Sequence, residues 1–446
     1  MSVLNKWMQI LFGIAIFTLP FQVHVLAYQT TWGRGFTNPY GSIYFTITEF
    51  FLLGAGLLFL ASRIKTRKRI KIGDAGFFLL MLSIAFLTTL SLYLSPFEDY
   101  TFHLFLFLKI SNLILFYTLI VNKVLRANEI LKIFIFSMCF QAALAIFQLI
   151  TQSSLGLGML GEPYLADNVA HLARFTLNDS SIIRSYGTFS HPNILGGFLV
   201  TSLLSTLLFS PKHKNERSIL LLIQFLGILA TFSRSAIFAL TVALVFIYIW
   251  YLKEIKNNKI IPISLGSILL IEMFYLAFSR GFDLLNDPAF IERINGYKQA
   301  IEIFEINQLG VGYSHFTLFL DQISQTPLMP WEYQPVHNLF LLALSEAGVI
   351  GMIGIVLSMS YIFYRIFHNR KIFLTRSQNF KKRILFVTFL SLFLISMLDH
   401  YTASLDQGRF LVVLVFAIAS SFNANPRQVL PIKRGASLKK ILSGRG

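Results

Sequence analysis

The chain has 446 residues, of which 55% are apolar and 13% charged, with a net charge of +17 and a single cysteine. Soluble domains carry about 25% charged residues. Apolar stretches of roughly 20 residues, the length a bilayer core requires, recur along the sequence. These features exclude a water-soluble globular enzyme, an intrachain disulfide framework and a cysteine-based metal site.

In chain order, apolar spans are predicted at 7–28, 42–62, 75–95, 101–121, 131–151, 193–210, 218–232, 235–252, 260–279, 337–364, 384–403 and 410–422. The expected fold class is an all-α integral membrane protein of about twelve transmembrane helices. No small-residue cleavage site follows the first span, which is therefore expected to be a retained anchor. Of the 38 Lys and Arg, 29 lie in the loops at 63–71, 122–132, 211–217, 253–259 and 365–383, in the tail after Asn425, or at Lys6. The positive-inside rule places these segments and both termini in the cytoplasm. The net charge is then a topology signal, and nucleic acid is not an expected partner. Residues 1–425 read as one polytopic domain and 426–446 as a basic cytoplasmic tail resting on anionic membrane lipids.

Two outer loops are long, at about 152–192 and 280–336. The second separates spans nine and ten and contains DPAFIERINGYKQAIEIF (287–304). Asp287 and Pro288 suit a helix start. Ile291, Ile294, Ile301 and Phe304 recur at helical spacing, with Arg293, Tyr297 and Ala300 on a neighbouring strip. This predicts an amphipathic helix over the outer mouth of the bundle. The QLGVGYSH that follows (308–315) permits a tight turn, but lacks the strand context of a phosphate-binding loop.

Nine cations stand outside the cytoplasmic set: Arg34, Lys109, Arg174, Arg184, Arg234, Arg280, Arg293, Lys298 and Arg409. All but Lys109 fall in outer segments, against the topological gradient. Arg234 lies between two apolar runs with almost no loop. Beside a helix N-terminus it suits an anion, and equally it reads as a snorkelling arginine at a helix hairpin. In RSYGTFSHPNILGG (184–197), Ser190 or Asn193 can cap a helix, and Gly196 and Gly197 allow close packing. Caps and packing leave Arg184 and His191 unexplained. His337 and Asn338 stand at the mouth of span ten, where a histidine is either interface chemistry or a general base. Glu346 lies deeper in that span, and an intramembrane carboxylate is a functional candidate. Asp399, His400 and Arg409 flank the last outer turn, and Lys109 is mid-span without an assigned role. There is no HExxH or comparable metal-ligand spacing, and neither a metal nor a cofactor is expected; a Ser-His-Asp triad stays open, with no GxSxG elbow to support it.

RSYGTFSHPNILGG, TFSRSA, ERINGYKQAIEIFEINQLGVGYSHF and VHNLFLLALSEAGVIG resemble the O-antigen ligase and polymerase superfamily of bacterial membrane glycosyltransferases. The likeness covers most of the chain, including the long outer loop between spans nine and ten. It implies metal-independent transfer of a glycan from an undecaprenyl-pyrophosphate carrier at the outer face of the cytoplasmic membrane. The acceptor would be lipid A-core in a ligase, or a growing glycan in a polymerase. By motif position, Arg234 and Arg293 would hold the pyrophosphate with Arg184 as a third, and His337 would deprotonate the acceptor. Asn338, Tyr313, His315, His191, Glu346, His400 and Arg409 would support the sugar or acceptor side. A lipid-linked glycan transporter is the rival class. It is disfavoured by the lack of repeated halves and of paired broken helices.

Overall fold

The computed structural model describes residues 3–423 apart from 30, 33–35, 39, 170, 178–179, 209–213, 255–287, 325, 327, 330–331 and 369–375. Predicted span nine, Arg34, Arg280, Asp287 and the tail 426–446 lie outside the described residues. A helix stands at each other predicted span: α1 (Val3–Thr18), α2 (Ile47–Thr66), α3 (Ala75–Tyr93), α4 (Tyr100–Val121), α5 (Ala127–Thr151), α6 (Pro192–Leu208), α7 (Lys214–Ala230) and α8 (Arg234–Glu254). After the outer-loop helices α9 (Pro288–Ile306) and α10 (Phe316–Ile323) come α11 (Leu339–His368), α12 (Arg376–Leu398), the single turn α13 (Tyr401–Ser404) and α14 (Asp406–Asn423). Among the described residues, five helices (α2, α3, α4, α5 and α11) are long and apolar enough to cross a membrane, and α1, α6 and α8 are shorter apolar helices.

The structure departs from a purely helical reading in one place that matters. The run predicted as span 7–28 stops being helical at Thr18. Pro20 lacks the N–H that a continuing helix needs. Residues His24–Tyr28 form β1, which pairs antiparallel with β2 (Ile43–Thr46). Two further short antiparallel pairs, Thr31–Trp32 with Phe36–Thr37 and Arg174–Leu177 with Ser180–Ile183, close other outer turns. These ribbons satisfy backbone groups where the chain emerges from the bundle.

The main core joins α1, α2, α4 to α8, α12 and α14 through Phe12, Phe59, Phe116, Phe134, Phe198, Leu199, Ala236 and Leu411. Small residues let the helices approach, as expected in a membrane: a Cβ on Gly196 would lie 2.8 Å from the Cβ of Ala236. Large apolar side chains such as Phe50, Leu57, Leu79 and Phe86 point outward, which suits a lipid-facing surface. A second, smaller core (Ala300, Ile303, Val311, Phe316, Phe319, Leu320, Tyr333, Val336 and Leu342) builds an outer layer from α9, α10 and the start of α11. Here α9 turns the face holding Ala300 and Ile303 inward and leaves Ile291 and Ile301 exposed. Ala300 of the strip beginning at Arg293 is buried, whereas Arg293, Tyr297, Ile294 and Phe304 are half-buried.

The GVG turn has a structural use. α11 is broken at Gly348, whose φ of 63° and ψ of −165° are non-helical. The amides of Val311 and Gly312 donate to the carbonyls of Ser345 and Glu346, at 2.9 and 2.8 Å. The turn thus supplies donors to carbonyls near the break, beside the backbone of residues 308–309, which a side chain at 348 would strike.

Intramembrane charge is paired. Lys109 on α4 donates to Glu49 at 2.6 Å, to Asp406 at 2.7 Å and to the carbonyl of Tyr44. Asn112 donates to the other Glu49 oxygen at 3.0 Å, and Arg409 donates to Asp406 at 3.2 Å. Lys109→Met leaves Glu49 buried without its cation, which should destabilise the fold by about 3–5 kcal/mol. Thermal unfolding in detergent should show that loss, and adding Glu49→Gln should recover part of it. An unchanged midpoint in the single variant would show that the network is not structural.

Candidate active site

The segment 184–193 is held from below by α5. Gln148 accepts the amides of Tyr186 (3.0 Å) and Gly187 (2.8 Å), and Gln141 accepts the amide of Thr188 (2.9 Å). The hydroxyl of Ser185 donates to the carbonyl of Ala145 at 2.6 Å. These two glutamines, seven residues apart on an apolar helix, were the visible sign of a polar face, and the motif reading passed over them.

Arg184 is consequently buried and directed. Its Nε donates to the carbonyl of Thr231 at 2.8 Å and its Nη2 to Oδ1 of Asn193 at 2.7 Å. Asn193 in turn donates to Oδ2 of Asp399 at 3.2 Å, and the amide of His400 donates to Oδ1 at 2.9 Å. Asp399 and His400 form the turn just beyond the end of α12. The rings of His337 and His400 meet edge to face with centroids 4.9 Å apart. Tyr40 lies edge-on to His400 at 5.3 Å, and Nδ1 of His400 hydrogen-bonds the hydroxyl of Ser404 at 2.6 Å. His191 and Arg293 are close enough to act electrostatically on Asp399. Four separated motifs, carrying Arg184 and His191, Arg293, His337, and Asp399 with His400, therefore meet in one cluster.

The other candidates take different places. Arg234 begins α8 and is exposed, one turn from the Thr231 carbonyl that Arg184 grips. Asn338 caps α11 by accepting the amides of Phe340 (2.9 Å) and Leu341 (3.1 Å), and donates to the carbonyl of Met397 at 3.2 Å. It fastens α11 to α12 beneath the cluster. Glu346 and Arg409 line a small cavity with Tyr40, Ser314, Thr317 and Ser404. Its volume of ≈ 10 Å³ holds about one water. Arg409 lies 4.9 Å above the ring of Tyr313. His315 is not among the residues lining this cavity. It is buried between Phe97 and Phe102, with its Nδ1 on the carbonyl of Tyr313 at 2.7 Å and its Nε2 3.3 Å from that of His103. An aromatic cage of Phe97 and Phe102 thus surrounds it.

Electrostatics set the protonation states. Burial pushes the His191 imidazole down to about 3, with Arg184 adding to the shift. Burial and the facing His337 bring His400 to about 3 as well. Burial alone would raise the Asp399 carboxyl, but His337, His400, His191 and Arg293 outweigh it and hold it below its usual value. Asp399 is thus an anion between a guanidinium chain and imidazoles. His337, Asp399 and His400 offer ligand atoms within 4.8 Å of one another, a set of residue types that suits a divalent cation. Both Asp399 oxygens already accept hydrogen bonds, and the neighbouring arginines oppose added positive charge.

Residues 219–356 match the family model described as O-antigen ligase. Comparison with curated proteins gives no match. The family match supports the O-antigen ligase and polymerase superfamily over that segment, which holds three of the four resembling motifs, with RSYGTFSHPNILGG outside it. Arg234, Arg293 and His337 fall inside the matched segment, whereas Arg184 and Asp399 fall outside it. Family and apolar helices together point to a glycosyltransferase-like enzyme of a bacterial inner membrane.

His191 and His400 bind protons less readily folded than unfolded, so their contribution to stability is complete above pH 6.5 and is lost as pH falls toward about 3. The melting temperature in detergent should therefore drop between about pH 7 and about pH 5. His191→Gln should make that drop smaller. An equal drop in the variant would mean that His191 carries no part of the acid lability.

Proposed function

We propose that the protein transfers a glycan from an undecaprenyl-pyrophosphate carrier to an acceptor hydroxyl at the outer face of the membrane. The reading is that of an O-antigen ligase acting on lipid A-core. The carrying observation is the contact of His337 with the Asp399–His400 turn, with Arg184 and Arg293 around it. The proposal includes the twelve-span topology with both termini cytoplasmic, supported by the distribution of Lys and Arg.

In this mechanism Nε2 or Nδ1 of His337 takes the proton of the acceptor hydroxyl. The acceptor oxygen attacks the anomeric carbon, and the bond from that carbon to the carrier phosphate breaks. The electron pair leaves with the pyrophosphate, and a single displacement inverts the anomer. Asp399 favours the imidazolium that forms on His337. Arg293 and the exposed Arg234 meet the departing pyrophosphate, where charge develops. Arg184, committed to Thr231 and Asn193, orients Asp399 through Asn193 and sets the turn that carries Arg234. A polymerase would run the same steps with a carrier-linked glycan as acceptor.

The test is transfer by purified protein from a polyprenyl-pyrophosphate glycan to lipid A-core, with a chelator present. His337→Ala should lower turnover by about 10²–10⁴-fold while donor binding persists. Arg293→Ala should weaken both binding and turnover. Product on lipid A-core supports the ligase, and longer glycan on the carrier supports the polymerase. Full turnover in the His337 variant, or activity abolished by the chelator and restored by a divalent ion, would overturn the mechanism. Flipping in proteoliposomes without transfer would favour the transporter.

A further inference from the structure

The start of the first outer loop forms a rigid knuckle with apolar tips. Glu162, buried, accepts the amides of Leu155 (2.8 Å) and Leu157 (2.6 Å) and the side chain of Gln148 (2.8 Å). A one-turn 3₁₀ helix at Gly158–Leu160 forms its crest. The knuckle is therefore preorganised, yet its tips point outward: Met159 is 93% exposed, Tyr164 72%, and Leu155 and Leu160 are also exposed. An ordered loop in water has no reason to hold such side chains outward.

Its surroundings say what covers it. From Ile133 to Gly161 the sequence contains no charged residue. The exposed face of α5, with Phe147 and Ile150, thus runs into the knuckle without a charged break. Gly161, at φ 88°, lies so close to the backbone of Gln22 that a Cβ there would sit 2.7 Å from it. Gln22 follows α1, whose 16 residues rise only about 24 Å, against a hydrocarbon core of about 30 Å. Lys6 and the exposed Trp7 in the first turn of α1 suit the cytoplasmic interface. The end of α1, and the knuckle packed on it, then stand no higher than the outer boundary of the hydrocarbon. The exposed Val25 and Leu26 of β1 follow Gln22 directly.

We propose that residues 155–164, with Val25 and Leu26, form an interfacial anchor whose apolar tips lie in the outer lipid leaflet. The occupant of this surface is bilayer lipid at the boundary of headgroup and acyl chain. The anchor also fixes a height. Gln148 joins Glu162 of the knuckle to the amides of Tyr186 and Gly187, two and three residues from Arg184. The segment carrying Arg184 is thereby held near the level of lipid phosphates, where a lipid-linked pyrophosphate would stand. That last consequence rests on the proposed function, and the anchor itself does not.

The single cysteine makes a direct test possible. In a Cys139→Ala background, Met159→Cys is labelled with an environment-sensitive fluorophore. The full chain is reconstituted in phosphatidylethanolamine–phosphatidylglycerol vesicles carrying shallow or deep spin-labelled lipids. The expected result is blue-shifted emission, quenched more by the shallow than by the deep label and protected from iodide. Asp167→Cys, whose side chain is 82% exposed, should give the water-facing signal. Tyr164→Cys serves as a second probe should Met159→Cys fail to fold. Emission quenched by iodide and not by lipid labels would overturn the proposal. So would shielding from both quenchers with label self-quenching at high protein density, which would mean a second copy covers the face. Lipid contact that arises only on adding undecaprenyl phosphate would assign the surface to the donor tail and overturn it too. Each readout is independent of transfer activity, so failure here and failure of the glycosyltransferase reading are separable.

Discussion

A carboxylate buried in a membrane protein costs several kcal/mol unless cations or donors meet it, and Asp399 is such a carboxylate. Its two oxygens take hydrogen bonds from Asn193 and the His400 amide. Through Asn193 it is tied to Arg184, and through Arg184 to the turn between α7 and α8. The positions of α6, the α7–α8 turn and the end of α12 are thus set against one another by the need to neutralise one anion. The same anion faces His337 at the mouth of α11. What stabilises this end of the bundle is also what shapes the candidate site.

A second charged centre sits nearby and follows the same logic. Lys109 gathers Glu49, Asp406 and a backbone carbonyl, and Arg409 closes the chain on Asp406. Arg409 then reaches Ala403, Ser404 and the ring of Tyr313. Ser404 in turn bonds His400. A polar path therefore connects the middle of the bundle to the candidate site. Its geometry depends on the short turn α13 and on the small cavity shared by Glu346 and Arg409.

The outer layer is built differently, from turns and a broken helix. Gly348 lets α11 break, and the GVG turn occupies the gap by donating to carbonyls beside it. This places α10 and the aromatic cage around His315 against α4. α9 lies over α11, and Arg293 acts electrostatically on Asp399. The outer layer thus contributes one cation to the site and otherwise covers it.

Much of this was legible beforehand. Apolar run length located the helices because hydrocarbon thickness is a constraint on sequence itself. Arg184, Arg293, His337 and His400 were visible as polar groups out of place, since charge at the outer face of a membrane protein needs a cause. Periodicity alone left orientation open on α9: the structure buries Ala300 and Ile303 and exposes Ile291 and Ile301, because in lipid an apolar face need not be buried in protein. It also extended the first helix past Pro20, whereas the helix ends at Thr18. The amino-acid sequence by itself determined the membrane class, the helix positions and the residue types at the outer mouth. Only the tertiary structure decided that Asp399 is their common partner, that Asn193 carries Arg184 to it, and that Arg234 stays exposed. Those pairings join residues up to 206 positions apart, and nothing local encodes a contact that only folding brings within 3.2 Å.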